Sequence, residues 1–148
     1  MTVELVRASL SDKAVFRRLL QLYRYDFSEW NGDDVDEHGE FAHRYLDHYW
    51  TDQDSHPFLI RHAGRWAGFA LVRTEGVNDI SEFFVMRKYR RDGVGREAAR
   101  RVFAMFPGAW QVRQLHGNAA ATAFWRAVVP NGYEETVTEE GPVQRFTI

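Results

Sequence analysis

The stretch "EFFVMRKYRRDGVGREAARRVF", Glu82 to Phe103, constrains the fold more than any other part of this chain. It opens as an apolar strand running from Asp79 to Met86, greasy enough for the middle of a sheet. It then crosses a turn crowded with Arg87, Lys88, Arg90 and Arg91, with Arg96 just beyond. From Val94 the apolar residues Ala98, Ala99, Val102, Phe103 and Phe106 recur on one helical face, and Pro107-Gly108 ends the helix. A central strand feeding an amphipathic helix through a glycine turn requires a layered α/β arrangement, because strand and helix bury their apolar faces against each other.

The rest of the chain extends this pattern. Val3 to Arg7 alternates like a strand, and Ser11 and Asp12 open a helix with Val15, Leu19, Leu20, Tyr23 and Phe27 at helical spacing. Phe41, Tyr45 and Tyr49 recur every four residues and predict a second helix. "PFLIRH", "AG" and "RWAGFALVR" predict strand, turn and strand. "AWQVRQL" predicts a strand, Asn118 to Val128 a helix, and "YEETVTEE" with "VQRFTI" a closing hairpin. The expected order is β-α-α-β-β-β-α-β-α-β-β: a mixed α/β (α+β) sheet with about four helices, in a single domain spanning 1–148.

Composition narrows the function classes. A chain of 148 residues, 45% hydrophobic, is long enough to bury one core. Its net charge of −2 offers no electrostatic basis for nucleic-acid binding. With no cysteine, disulfides and thiolate zinc sites are excluded. His38, His43 and His48 are spaced by five, which does not align them on one helical face, so no metal site is expected. No signal peptide or membrane-spanning stretch is read, and a cytoplasmic location with no membrane partner is expected. Monomer and homodimer both stay open.

The turn from Arg90 to Arg96 has the makings of an anion site. The first amides of a helix lack intrahelical acceptors, and the helix dipole adds partial positive charge there. Gly93 and Gly95 carry no Cβ to hold a ligand off the backbone, and Arg90, Arg91 and Arg96 supply guanidinium groups. A pyrophosphate suits such a turn; so does the plainer alternative of a tight strand-to-helix connection with solvated arginines. A dinucleotide fingerprint would need a third glycine where Ala98 stands, and a P-loop would need Gly-Lys-Ser/Thr.

"VMRKYRRDGVG" resembles the acyl-CoA loop of the GNAT superfamily of N-acetyltransferases, with its Gln/Arg-x-x-Gly-x-Gly/Ala pattern. Arg90, Gly93 and Gly95 fill the three defining positions, and Val85 and Tyr89 fit the apolar and aromatic positions before them. A second superfamily motif, Asn-x-x-Ala-x-x-(Leu/Phe)-(Tyr/Phe), is matched in spacing by Asn118, Ala121, Phe124 and Trp125, followed by Gly132-Tyr133. The chain also looks like a group of small bacterial predicted acetyltransferases. The resemblance implies a mostly antiparallel sheet splayed between its fourth and fifth strands. It further implies acetyl-CoA as cosubstrate, with the pantetheine arm near Phe84 and Val85 and the diphosphate on Arg90, Arg91, Asp92, Gly93, Val94, Gly95 and Arg96. Asn118 and Phe124 complete the implied cofactor contacts. Asn118 equally suits a helix N-cap, and Phe124 and Trp125 suit plain core.

Such an enzyme must take a proton from an ammonium group, stabilise a tetrahedral oxyanion and release a thiolate. Glu82 and Asp79 are the candidate bases on the central strand, and strict alternation would point them to opposite faces. In the diamine acetyltransferases an acidic pair falls where this chain has Ser81 and Glu82, so Ser81 stands at the usual base position. Trp125 stands where many superfamily members carry a general-acid Tyr. Glu82 is the favoured base, with an ion-paired structural carboxylate as its plainer role. These departures keep open a second reading, an acetyl-CoA-binding module with little or no turnover. A third, a nucleotide-binding protein, predicts competition by ATP or NAD. The acceptor is expected to be a small-molecule or peptide amine. Seven acids from Asp26 to Glu40, without Lys or Arg, suit a polycationic acceptor or simply a solvated loop.

Overall fold

The computed structural model describes residues 2–43 and 46–148. In chain order the elements are β1 (Val3–Arg7), α1 (Lys13–Asn31), α2 (His48–Thr51), β2 (Ser55–His62), β3 (Arg65–Arg73), β4 (Asn78–Val85), α3 (Val94–Met105), β5 (Ala109–Arg113), α4 (Ala119–Val128), β6 (Glu134–Val137) and β7 (Pro142–Thr147). The expected order holds element by element.

Local signals set most of these boundaries. Ahead of α1, the Ser9 amide donates to the Asp12 carboxylate at 2.9 Å while the Asp12 amide returns to the Ser9 carbonyl, a capping-box arrangement over a 3-10 turn. The helix ends at Gly32, whose φ of 76° lets its amide fold back to Ser28. Asn118 caps α4 by accepting from the Ala121 amide at 3.1 Å.

The second helix is shorter than its periodicity predicts. Among the described residues of this segment only His48–Thr51 is helical; Phe41 lies in an irregular stretch, and Tyr45 falls outside the described residues. Competing hydrogen bonds explain the difference. Asp36 Oδ1 accepts from the amides of His38 and Glu40, closing a turn. The Gln21 side chain then takes both the amide and the carbonyl of Phe41, at 2.8 Å each. Backbone groups satisfied in this way are not available to a helical ladder.

One seven-stranded sheet has the order β1-β2-β3-β4-β5-β7-β6, antiparallel throughout except between β4 and β5. Helices α1 and α2 cover one face, where Phe16, Leu19, Leu20 and Tyr23 pack on Leu59, Phe69, Leu71 and Phe84. Helices α3 and α4 cover the other, where Ala99, Val102, Phe103 and Trp125 pack on Phe58, Ala70, Val72 and Ile80. Phe16, fully buried, is the central α1 contact that the predicted helical face passed over. Strand β3 alternates between the two cores, Phe69 and Leu71 to one side and Ala70 and Val72 to the other, as a central strand covered on both faces should.

The one parallel pairing is brief. Strands β4 and β5 join only at Asn78–Trp110 and Asp79–Gln111 among the described residues, after which they part. The sheet is therefore splayed between its fourth and fifth strands, as expected. Beyond Asp79, the β5-facing edge of β4 makes no further ladder pairs with β5.

Candidate active site

A bulge in β4 determines where the acids sit. Against β3, Leu71 pairs with Glu82, Val72 with Ile80 and Arg73 with Asp79, so Ser81 is an extra residue without an opposite. An extra residue shifts the alternation by one from that point on. Leu71 belongs to the core under α1, and Val72 to the core under α3 and α4. Glu82 and Asp79 consequently share the α1/α2 face, while Ile80 lies on the other. This corrects the expectation from strict alternation, which placed the two acids on opposite faces.

On that shared face the acids meet groups from four other elements. The Tyr23 hydroxyl of α1 donates to Glu82 Oε2. The Arg24 guanidinium, next along α1, lies 3.6 Å from Oε1. From α2, the Tyr49 hydroxyl lies 2.7 Å from Ser81 Oγ, and Ser81 Oγ donates to the Leu71 carbonyl at 3.1 Å. With the Ser81 proton committed there, Tyr49 is the donor to Ser81. Asp79 Oδ2 accepts from Arg113 of β5 at 2.7 Å, across the two strands where they begin to part. Arg73 of β3 adds positive charge near Asp79 and Tyr49.

Burial sets the protonation behaviour of this cluster. It pushes the Glu82 carboxyl above its ordinary value, against the Tyr23 hydrogen bond and the Arg24 charge, which favour the ionised form. It likewise pushes the Asp79 carboxyl up, opposed by Arg113. Burial, reinforced by the Glu82 charge, holds the Tyr23 hydroxyl well above the usual phenol range, so Tyr23 stays a proton-bearing donor at neutral pH. Tyr23, Arg24, Tyr49 and Arg113 were not singled out as site residues from sequence. Tyr23 reads there as one more member of an apolar helix face, and nothing local marks it as the partner of a carboxylate 59 positions away.

The glycine turn lies at the end of β4. Arg91 and Gly93 both take positive φ, 71° and 79°, which folds the chain back into α3. The first intrahelical bond runs from the Glu97 amide to Gly93, leaving the amides of Val94, Gly95 and Arg96 at the helix mouth. Asp92 lies in the same turn, before Gly93. Gly95 has a packing role as well: a Cβ there would lie 3.1 Å from the Phe124 ring and 3.4 Å from Val85 Cγ2. Its bareness serves the close packing of α3 against β4 and α4. Arg90 is also engaged, donating to the Val85 carbonyl at 2.8 Å and to Asp26 at 2.7 Å. Asp26 in turn holds Arg87, so the turn is strapped to α1. Asn118 is buried in its capping role, and Phe124 stacks on Phe83 with centroids 5.8 Å apart. Trp125 is buried in the core against Phe83 and Phe103.

The acidic segment is partly committed as well. Besides Asp26, Glu40 pairs with Arg17 at 2.9 Å, and Asp33 and Asp36 bond within local turns. Arg17, Gln21 and Arg24 fall on one stripe of α1. The first two hold Glu40 and Phe41, and the third faces Glu82. Glu40 and Phe41 thus lie on the α1 stripe that continues to Arg24.

The parallel pair β4/β5, parted beyond Asp79 with the α3 mouth at the end of β4, matches the acetyltransferase fold. The chain belongs to the acetyltransferase (GNAT) family, whose model matches residues 16–128. Among solved structures, an acetyltransferase from Thermus thermophilus shares 16% identity and a TM-score of 0.77, over 98% of this chain and 95% of that one. Spermidine N-acetyltransferase from Vibrio cholerae, solved with CoA and spermine, shares 13% identity and a TM-score of 0.69 over 99% and 94%. An aminoglycoside acetyltransferase in complex with coenzyme A shares 17% identity and a TM-score of 0.70 over 99% and 95%. No curated protein sequence matches the chain. No described helix is long and apolar enough to cross a membrane.

Proposed function

We propose that this chain, as a single acetyltransferase domain, uses acetyl-CoA to acetylate a primary amine of a small molecule or protein, by direct transfer. The observation that carries this reading is the parting of β4 from β5 between the α3 mouth and the Glu82 cluster. The residues present fit the cosubstrate. The amides of Val94, Gly95 and Arg96, with Arg91 and Arg96 beside them, would receive the diphosphate. The β4 edge near Phe84 and Val85, freed from β5, would hold the pantetheine amides, with Asn118 and Phe124 on the facing helix. Arg90, bound to Val85 and Asp26, shapes the turn from behind.

Glu82 serves as the base. It takes a proton from the ammonium group, directly or through water, and the neutral nitrogen bonds to the thioester carbonyl carbon. A β4 amide near Val85 steadies the oxyanion until the carbon–sulfur bond breaks and the thiolate leaves, the second nitrogen proton passing to solvent or to the departing sulfur. Asp79, on the same face, is the second acid of the site. Two neighbours by structure carry names of enzymes acting on polycationic amines, and Glu40 of the acidic segment pairs with Arg17 on the α1 stripe that continues to Arg24. Both support a cationic acceptor.

An amine panel with thiol detection tests the proposal: spermidine, kanamycin, a lysine peptide and a monoamine, each with acetyl-CoA. CoA release above the hydrolysis background is expected with at least one. The core burial of Trp125 at the usual acid position favours the second reading, a binding module. Tight CoA binding with no release for any amine would establish that reading instead. Displacement by ATP or NAD and not by CoA would overturn both.

A further inference from the structure

The Glu82 carboxylate is not held by its own strand. Its Oε2 receives the Tyr23 hydroxyl, and only Oε1 faces Arg24, at the longer distance of 3.6 Å. The Tyr23 ring has little freedom. It stacks on Phe27 at 5.4 Å and meets Phe69 and Phe84 edge-on at 5.5 and 5.8 Å, three rings that fix it from α1, β3 and β4. A rigid donor aimed at one carboxylate oxygen orients the other.

Resting on the proposed role of Glu82, we infer that Tyr23 is a positioning residue for the base: its locked hydroxyl fixes Oε2 and turns Oε1 toward the acceptor amine. In the reaction the amine proton passes to Oε1, leaving a neutral carboxyl group. The nitrogen bonds to the carbonyl carbon to give the tetrahedral oxyanion, its second proton passes to solvent or to the departing sulfur as the carbon–sulfur bond breaks, and the carboxyl proton returns to solvent. Tyr23 keeps its own proton throughout. The hydrogen bond stabilises the ionised carboxylate, and so raises the fraction of base ready for turnover at a given pH. Among the described residues, the groups facing Glu82 are Tyr23 and Arg24 from α1, Tyr49 from α2, Arg113 from β5 and Asp79 on its own strand, with Arg73 of β3 beside Asp79 and Tyr49. Among the described residues, Tyr23 is the one that donates a hydrogen bond to its side chain.

Tyr23→Phe removes the hydroxyl and keeps the ring. In the full chain labelled with carbon-13, the Glu82 carboxyl signal, assigned by its loss in Glu82→Gln, can be followed against pH. Tyr23→Phe should raise its midpoint by about one pH unit, the size expected for a hydrogen bond to a charged group. The acid limb of kcat/KM, for spermidine or whichever panel amine reacts best, should move upward by the same amount with KM for acetyl-CoA unchanged. In a Glu82→Gln background, Tyr23→Phe should have no further effect on the rate. An unchanged carboxyl midpoint overturns the inference, as do equal rate losses in both backgrounds. If no amine reacts, the enzymatic reading falls and the role toward the base falls with it, while the carboxyl midpoint still tells the two failures apart: a rise shows that Tyr23 holds the ionised Glu82 carboxylate, and no rise shows that it does not.

Discussion

The turn from Arg87 to Arg96 and the bulged stretch from Asp79 to Glu82 are neighbours in sequence, and they are built on opposite principles. The turn is a backbone construction: two left-handed residues, a helix mouth and amides without intrahelical acceptors. Side chains enter its build through Arg87 and Arg90, which strap it to Asp26, and through the missing Cβ of Gly95. The bulged stretch is a side-chain construction, in which α1, α2, β3 and β5 each bring a group to Asp79, Ser81 or Glu82. A substitution there strips one partner from a buried charge. The comparison teaches that two neighbouring stretches can differ in what they tolerate; on the proposed function, binding would reside in conformation and chemistry in individual atoms.

The sharpest break is expected at Glu82. Glu82→Gln should lower the maximal rate roughly 10²- to 10⁴-fold while calorimetric CoA affinity holds, as loss of a positioned general base does. If Asp79→Asn shows that loss instead, the base is Asp79. If neither changes the rate, water and the bound geometry carry the proton. Next comes the backbone between the two regions. A Cβ at Gly68 would sit 1.8 Å from the Phe84 carbonyl oxygen. Gly68→Ala should therefore cost about 1–3 kcal/mol in thermal or denaturant unfolding, because backbone rather than a mobile side chain must give way.

In the turn, Gly93→Leu and Gly95→Leu should each weaken CoA binding more than Arg91→Ala, measured by calorimetry on folded protein. The reasons differ: Gly93 needs its positive φ, and Gly95 needs its contact with Phe124. Equal losses in all three would place the binding energy in side-chain charge and erase the contrast. A smaller effect is expected from neutralising Asp33, Asp34, Asp36 and Glu37 together. KM for a polycationic acceptor should rise a few-fold and the saturated rate should stay, since exposed charges steer more than they hold. An unaltered KM would return the segment to a solvated loop.

The smallest effects concern stability against pH, where the sign separates the site from the surface. Glu82 and Asp79 have folded carboxyl values raised by burial, so the native state binds more protons than the unfolded one across that window. Their contribution is fullest below the unfolded carboxylate range and is lost as pH rises through the raised folded values. Glu135, held by Arg126 and Gln144, is lowered from 4.5 to about 2. Its contribution is present above 4.5 and lost as pH falls toward about 2. Denaturant midpoints across pH should show Asp79→Asn flattening the decline above the carboxylate range, and Glu135→Gln flattening the acid limb. A Glu135→Gln profile identical to that of the parent would show that the exposed pair contributes nothing measurable.

What the sequence by itself determined was the order of elements and the place of the turn. Both follow from interactions among residues close along the chain: apolar period, capping residues and glycine conformation. The same local signals misjudged the segment around Phe41, because Gln21, twenty positions earlier, takes the hydrogen bonds a helix would need. Only the tertiary structure decided the acid site. Whether Asp79 and Glu82 share a face depends on one unpaired residue, Ser81, and β3 supplies the register that leaves it unpaired. Tyr23 and Arg113 reach the acids from α1 and β5, elements with no sequence signal pointing at β4. A periodicity reports which way a residue faces within its own element; the partner it meets there is chosen by how separate elements pack.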